Sequence, residues 1–118
     1  MILTDTNIEG TRKEFRELEK ALLSLGFDRW TWDYTMAYYD LKYTTSDAEY
    51  YLRVPGYVVS GKQLEHPKAV LEMKSPIFTR HFHPHGLDNS VEIPTELQDE
   101  VSKKVAEVKE ALGVSVEA

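Results

Sequence analysis

The chain has no cysteine. Disulfides, zinc–thiolate sites, iron–sulfur clusters and cysteine nucleophiles are therefore excluded. Long apolar runs are missing too, and none approaches the ~20 residues of a membrane-spanning helix. The opening Met1-Ile2-Leu3-Thr4-Asp5 has neither a basic nor an apolar stretch, so it does not read as a secretory signal. Catalytic signatures are scarce. Gly61-Lys62 lacks the rest of a phosphate-binding loop, and no G-x-G-x-x-G, G-x-S-x-G or H-E-x-x-H occurs. Positive charge is in deficit. The formal net charge is -6, and residues 92–118 hold seven carboxylates against three lysines. Phosphate contacts need a basic patch, so nucleic acid is not an expected partner. These absences predict a soluble, cytoplasmic protein with no membrane partner and no cofactor, whose acidity serves solubility.

What is present fits one domain over residues 1–118, long enough to bury a core without staples. A tyrosine-rich hairpin from Ala37 to Val54 is the most informative stretch. With its turn between Ser46 and Asp47, Tyr43 faces Tyr50, Leu41 faces Leu52 and Tyr39 faces Val54. Every apolar pair then falls on one side. A slip of one residue would mix the two faces, which a half-buried sheet resists. The other side carries Asp40 opposite Arg53 and Lys42 opposite Tyr51.

Around the hairpin the periodicity alternates between two and about 3.6. Phe15, Leu18, Leu22 and Leu25 predict a helix from about Arg12 to Leu25, opened by a Thr11/Glu14 capping box and closed at Gly26. Trp30, Trp32 and Tyr34 alternate as a strand would. Pro55-Gly56 predicts a bulge or an edge, because proline cannot donate to a ladder. Ala69–Met73 and Ile77–Phe82 read as further strands. Leu97, Val101, Val105, Val108 and Leu112 predict a second helix from about Glu96 to Leu112, with Thr95/Gln98 as its capping box and Val105 among its most buried positions. The connections between strands are short, so an antiparallel meander is expected. The resulting fold class is α+β in two layers: an antiparallel sheet of four to five strands, with the N-terminal and C-terminal helices on one face.

Leu25-Gly26-Phe27, Trp32-Asp33-Tyr34, Tyr38-Tyr39-Asp40, Tyr51-Leu52-Arg53-Val54-Pro55 and Gly86-Leu87-Asp88 resemble, in order and spacing, the YugN-like family of small proteins from spore-forming bacteria. The similarity runs through nearly the whole chain. It implies one domain in a bacterial cytosol, and it carries no catalytic residue onto any position here.

Two constellations are candidates for function. The polar face of the hairpin gathers Tyr38, Asp40, Lys42, Tyr51 and Arg53. Tyr and Arg suit recognition, since each joins apolar area to a hydrogen-bond donor. The plainer reading is cross-strand pairing, with Asp40–Arg53 as a salt bridge and Lys42 over the Tyr51 ring. The second candidate is His81-Phe82-His83-Pro84-His85. On an extended strand His81 and His83 share a side, and Asp88 or Glu92 could complete a borderline-metal site. The leading expectation is a non-enzymatic binding or protein-interaction module, with an unidentified protein or small molecule as partner. A metal-binding protein or metal-dependent enzyme using His81, His83 and Asp88 is the alternative. A small-ligand carrier with a cavity lined by Trp30, Trp32 and Tyr39 is the third reading. An open sheet has two edges to protect, so a homodimer is expected, with Tyr38, Tyr51 and Arg53 near its contact.

Overall fold

A computed structural model describes residues 1–82 and 86–113. In chain order, Arg12–Glu14 forms β1, Phe15–Ser24 α1, Asp28–Trp32 β2, Met36–Thr44 β3 and Glu49–Val58 β4. Val70–Met73 forms β5, Ile77–Phe82 β6, Gly86–Asp88 β7 and Thr95–Ala111 α2. Among the described residues the seven strands make one antiparallel sheet ordered β1-β5-β4-β3-β2, with β6 pairing both β4 and β7. The architecture is α+β, as the sequence predicts. The two strands beyond the expected count, β1 and β7, span three residues each, too short for alternation to register.

The hairpin pairs in the predicted register: Tyr43↔Tyr50, Lys42↔Tyr51, Leu41↔Leu52, Asp40↔Arg53 and Tyr39↔Val54. It also runs on past Val54, through Tyr38↔Pro55 and Ala37↔Gly56 to Met36↔Tyr57. Pro55 does not interrupt it. On the far side of β4 the ladder to β6 ends at Arg53↔Ile77 and the ladder to β5 begins at Gly56↔Met73. The missing N–H of Pro55 falls in the gap between those two ladders. Gly56 is held close to β5, since a Cβ there would lie 3.0 Å from Met73 Sδ and 3.2 Å from Leu71 Cδ2.

One sheet face is covered. Tyr39, Leu52, Val54, Leu71, Met73 and Phe78 are buried there with Phe15, Leu18 and Leu22 of α1 and Leu97, Val101 and Val108 of α2. Gly26, at φ 98°, lets α1 stop: Phe27 N–H reaches Leu22 O and Gly26 N–H reaches Leu23 O. That double return is a Schellman closure.

Three expectations are corrected. Neither capping box forms. Residues 12–14 are recruited as β1 against β5, so α1 begins at Phe15 with Glu14 as its N-cap. At α2 Pro94 occupies the N-cap, and the Gln98 amide donates to Ile93 O at 3.3 Å. The strand expected at Trp30–Tyr34 is shifted to Asp28–Trp32, with a bulge between Arg29 and Thr31. Asp33 Oδ1 takes Thr35 N–H at 2.7 Å and Met36 N–H at 3.1 Å, which makes Asp33–Met36 a turn. Finally, Val105 is only half-buried, whereas Val101 and Val108 are each about 1% exposed. The apolar stripe of α2 is wider than its contact with the sheet, and Val105 sits at its margin.

Candidate recognition surface

The helix-free face of the β3–β4 hairpin carries the polar set because strand residues alternate. Asp40, Tyr38 and Lys42 come from β3, and Arg53, Tyr51 and Tyr57 from β4. Arg53 grips Asp40 with two parallel bonds, Nε to Oδ1 at 2.8 Å and Nη2 to Oδ2 at 2.9 Å. This fork geometry is the strongest form of the pair. The Asp40 side chain is 5% exposed and that of Arg53 16%. The hydrogen bond to Asp40 raises the Arg53 pKa further. The guanidinium carbon also lies 5.0 Å from the centre of the Tyr38 ring. Asp40 thus fixes the arginine, and Tyr38 supports it from one flank.

Tyr38 continues the chain of contacts. Its hydroxyl meets that of Tyr57 at 2.7 Å, and the two rings stand edge to face with centroids 6.2 Å apart. The Tyr57 hydrogen bond, then partial burial, push the Tyr38 pKa above the usual phenol range. Beside this pair opens a cleft of about 380 Å³, walled by Tyr38, Arg53, Pro55, Tyr57, Lys74 and Ile77. Its volume lies within the range of small-ligand sites. Lys74 reaches Glu72 at 3.6 Å, and Ser75 donates to Glu9 at 3.1 Å on the rim.

Lys42 and Tyr51 lie farther along the same face. Lys42 extends to Glu49 at 3.0 Å rather than over the Tyr51 ring, because a full carboxylate charge outcompetes a ring quadrupole. Glu49 also meets His81 Nδ1 at 3.6 Å, and the His81 ring stands edge-on to Tyr51 with centroids 6.3 Å apart. The surface is therefore two linked groups: Tyr57–Tyr38–Arg53–Asp40 at the cleft, and Lys42–Glu49–His81–Tyr51 toward the turn.

The candidate metal residues are not assembled in the same way. His81 pairs with Leu87 while Asp88 pairs with Arg80, so the pleat turns His81 and Asp88 to opposite sides of the sheet. His83 lies outside the described residues. Asp88 accepts from Ser90 N–H at 2.9 Å and Ser90 Oγ at 2.6 Å, and these bonds hold its pKa below the usual carboxylate range. Among the described residues no group of three His, Cys, Asp or Glu side chains is placed to hold a metal. The carrier cavity is not formed either: Trp30 and Trp32 are exposed, while Tyr39 is buried with its hydroxyl donating to Glu19 at 2.8 Å. Sequence reasoning missed Tyr57 and Lys74. Tyr57 was legible as the next same-face residue after Pro55 once the strand was allowed to continue. Lys74 follows the end of β5, outside the hairpin, and carried no signal.

The fold and this face together can be set beside known proteins. The YugN-like family matches residues 3–110. The chain belongs to the YugN-like family. This YugN-like protein is 33% identical over 86 residues to the uncharacterized protein YlbA of Bacillus subtilis (strain 168), covering 72% of this chain and 71% of that one. Its fold is also that of the uncharacterized conserved protein YugN from Geobacillus kaustophilus HTA426, whose crystal structure superposes with a TM-score of 0.82 at 31% identity. That match covers 96% of this chain and 95% of the other. No helix among the described residues of this YugN-like protein is long and apolar enough to cross a membrane.

Proposed function

We propose that the protein is a non-enzymatic binding module that recognises its partner on the helix-free face of the sheet. The carrying observation is the Asp40-held Arg53 beside the Tyr38–Tyr57 pair at the mouth of an open cleft. Polar groups there are spent on one another, in pairs that fix side-chain positions. Fixed Tyr and Arg side chains lose little entropy on binding, which favours recognition over a plain structural role.

The test is comparative capture from extract of the source organism, read by quantitative mass spectrometry. Wild-type protein is set against Tyr57→Ser and Lys74→Ser, both on the cleft and outside the core. A partner retained by wild type and lost with both variants supports the reading. Captured material that ignores both substitutions refutes it.

A further inference from the structure

Among the described residues, the most exposed aromatic side chains lie on β2 and the turn after it, at the end of the strand order beside β3. Trp30 is 69% exposed, Tyr34 66%, Leu23 47% and Trp32 45%. These include both tryptophans of the chain, a residue type that is usually well covered. Trp32, Leu23 and Tyr34 are joined through neighbouring residues, and Trp30 sits in the bulge directly after Arg29. Arg29 stacks under the Trp32 ring at 4.5 Å and near Phe15 at 5.4 Å, and it binds Glu65 at 3.2 Å. Phe15, Glu65 and Leu23 wall a shared shallow groove of about 320 Å³. Tyr34 O accepts Leu64 N–H at 2.9 Å, which seats the Asp33–Met36 turn beside the same segment. Among the described residues β2 is an edge strand, paired to β3 on one side alone.

We infer that this strip is the contact surface of a homodimer, and its occupant is a second copy of the chain. The four side chains together expose on the order of 500 Å², short of the roughly 800 Å² per partner in a standard interface, so the charged margins beside them must join the contact. Charge supports it. The α1 margin of the strip carries exposed Arg16 and Lys20, while Glu19 is engaged by Arg29 and Glu17 by Lys13. The β2 margin carries exposed Asp28 and Asp33. A two-fold axis along the strand sets the basic margin of each copy against the acidic margin of the other, so the patch is complementary to itself. The bulge at Trp30 disfavours simple extension of the sheet. The contact is therefore made by aromatic side chains rather than by a shared ladder. This assembly leaves the cleft beside Tyr38 and Tyr57 open, and it stands independently of the recognition reading.

Sedimentation velocity of the full chain from low micromolar to near-millimolar concentration tests the inference. Wild type is expected to sediment as a dimer at the upper end. Trp30→Ser removes a mostly exposed ring and should weaken association by ~tenfold or more. Lys20→Asp, on the exposed face of α1, should weaken it too, and serves if Trp30→Ser does not fold. Tyr57→Ser should leave the dimer unchanged. A monomer at every concentration overturns the inference. So does a dimer indifferent to both Trp30→Ser and Lys20→Asp, or one abolished by Tyr57→Ser.

Discussion

At the scale of single residues, the Asp40–Arg53 pair decides most. Both side chains are largely out of water, and each is the other's main electrostatic partner. Removing one leaves a desolvated charge without compensation. Asp40→Ala should lower unfolding free energy by about 2–4 kcal/mol, read as a fall in the urea midpoint at constant slope. The double variant Asp40→Leu/Arg53→Met should recover much of that loss, because an apolar pair needs no partner charge. This pair was legible in advance: register follows from apolar matching, and register puts Asp40 opposite Arg53. Their isolation from water was not legible. It depends on Tyr38 leaning on the guanidinium and Tyr57 reaching back to Tyr38, contacts set by a strand that continues through Pro55.

At the scale of elements, α2 shows how periodicity overstates burial. Leu97, Val101, Val105, Val108 and Leu112 share a stripe, yet only part of it meets the sheet. Val101→Asp should prevent folding, since a carboxylate without a partner would sit in the core. Val105→Asp should fold with a modestly lowered melting temperature, because its side chain can turn toward the groove walled by Leu3, Asp5, Ser102 and Lys109. Circular dichroism melts of the two variants separate these outcomes. β4 supplies a second test. Gly56→Val would press against Met73 and Leu71 at the start of the β4–β5 ladder, and should destabilise by about 1–3 kcal/mol. Thermal unfolding of that variant beside Pro55→Ala would isolate the steric effect, since the alanine adds no bulk at the neighbouring position.

At the scale of the whole molecule, buried phenols tie stability to alkaline pH. Burial pushes the Tyr43 pKa up to about 12, and burial with the Glu19 hydrogen bond drives that of Tyr39 still higher. In the unfolded chain both titrate near 10. Above that value the unfolded state holds fewer protons than the native one, so stability falls as pH rises. It is fully present below pH ~10 and lost progressively through about pH 12. Tyrosinate absorbance from Tyr39 and Tyr43 should therefore appear only together with cooperative loss of near-ultraviolet circular dichroism. A single smooth titration of all seven tyrosines before any unfolding would show that the helices do not seal this face.

The sequence by itself determined the fold class, the hairpin and its register, and the placement of the polar set on one face. Those properties follow from periods of two and 3.6, which any half-buried element must obey locally. Tertiary structure decided what crosses between elements. Residues 12–14 became a strand because β5 offered a free edge, not because their own sequence alternates. Trp30 and Trp32 stayed exposed because β2 lies at the margin of the sheet, although their hydrophobicity alone argues for burial. The cleft joins β3 and β4 to Lys74 and Ser75, whose positions depend on β5 and β6 sharing one side of β4. Local pattern states which face a side chain takes; which neighbours then cover that face is a property of the assembled sheet.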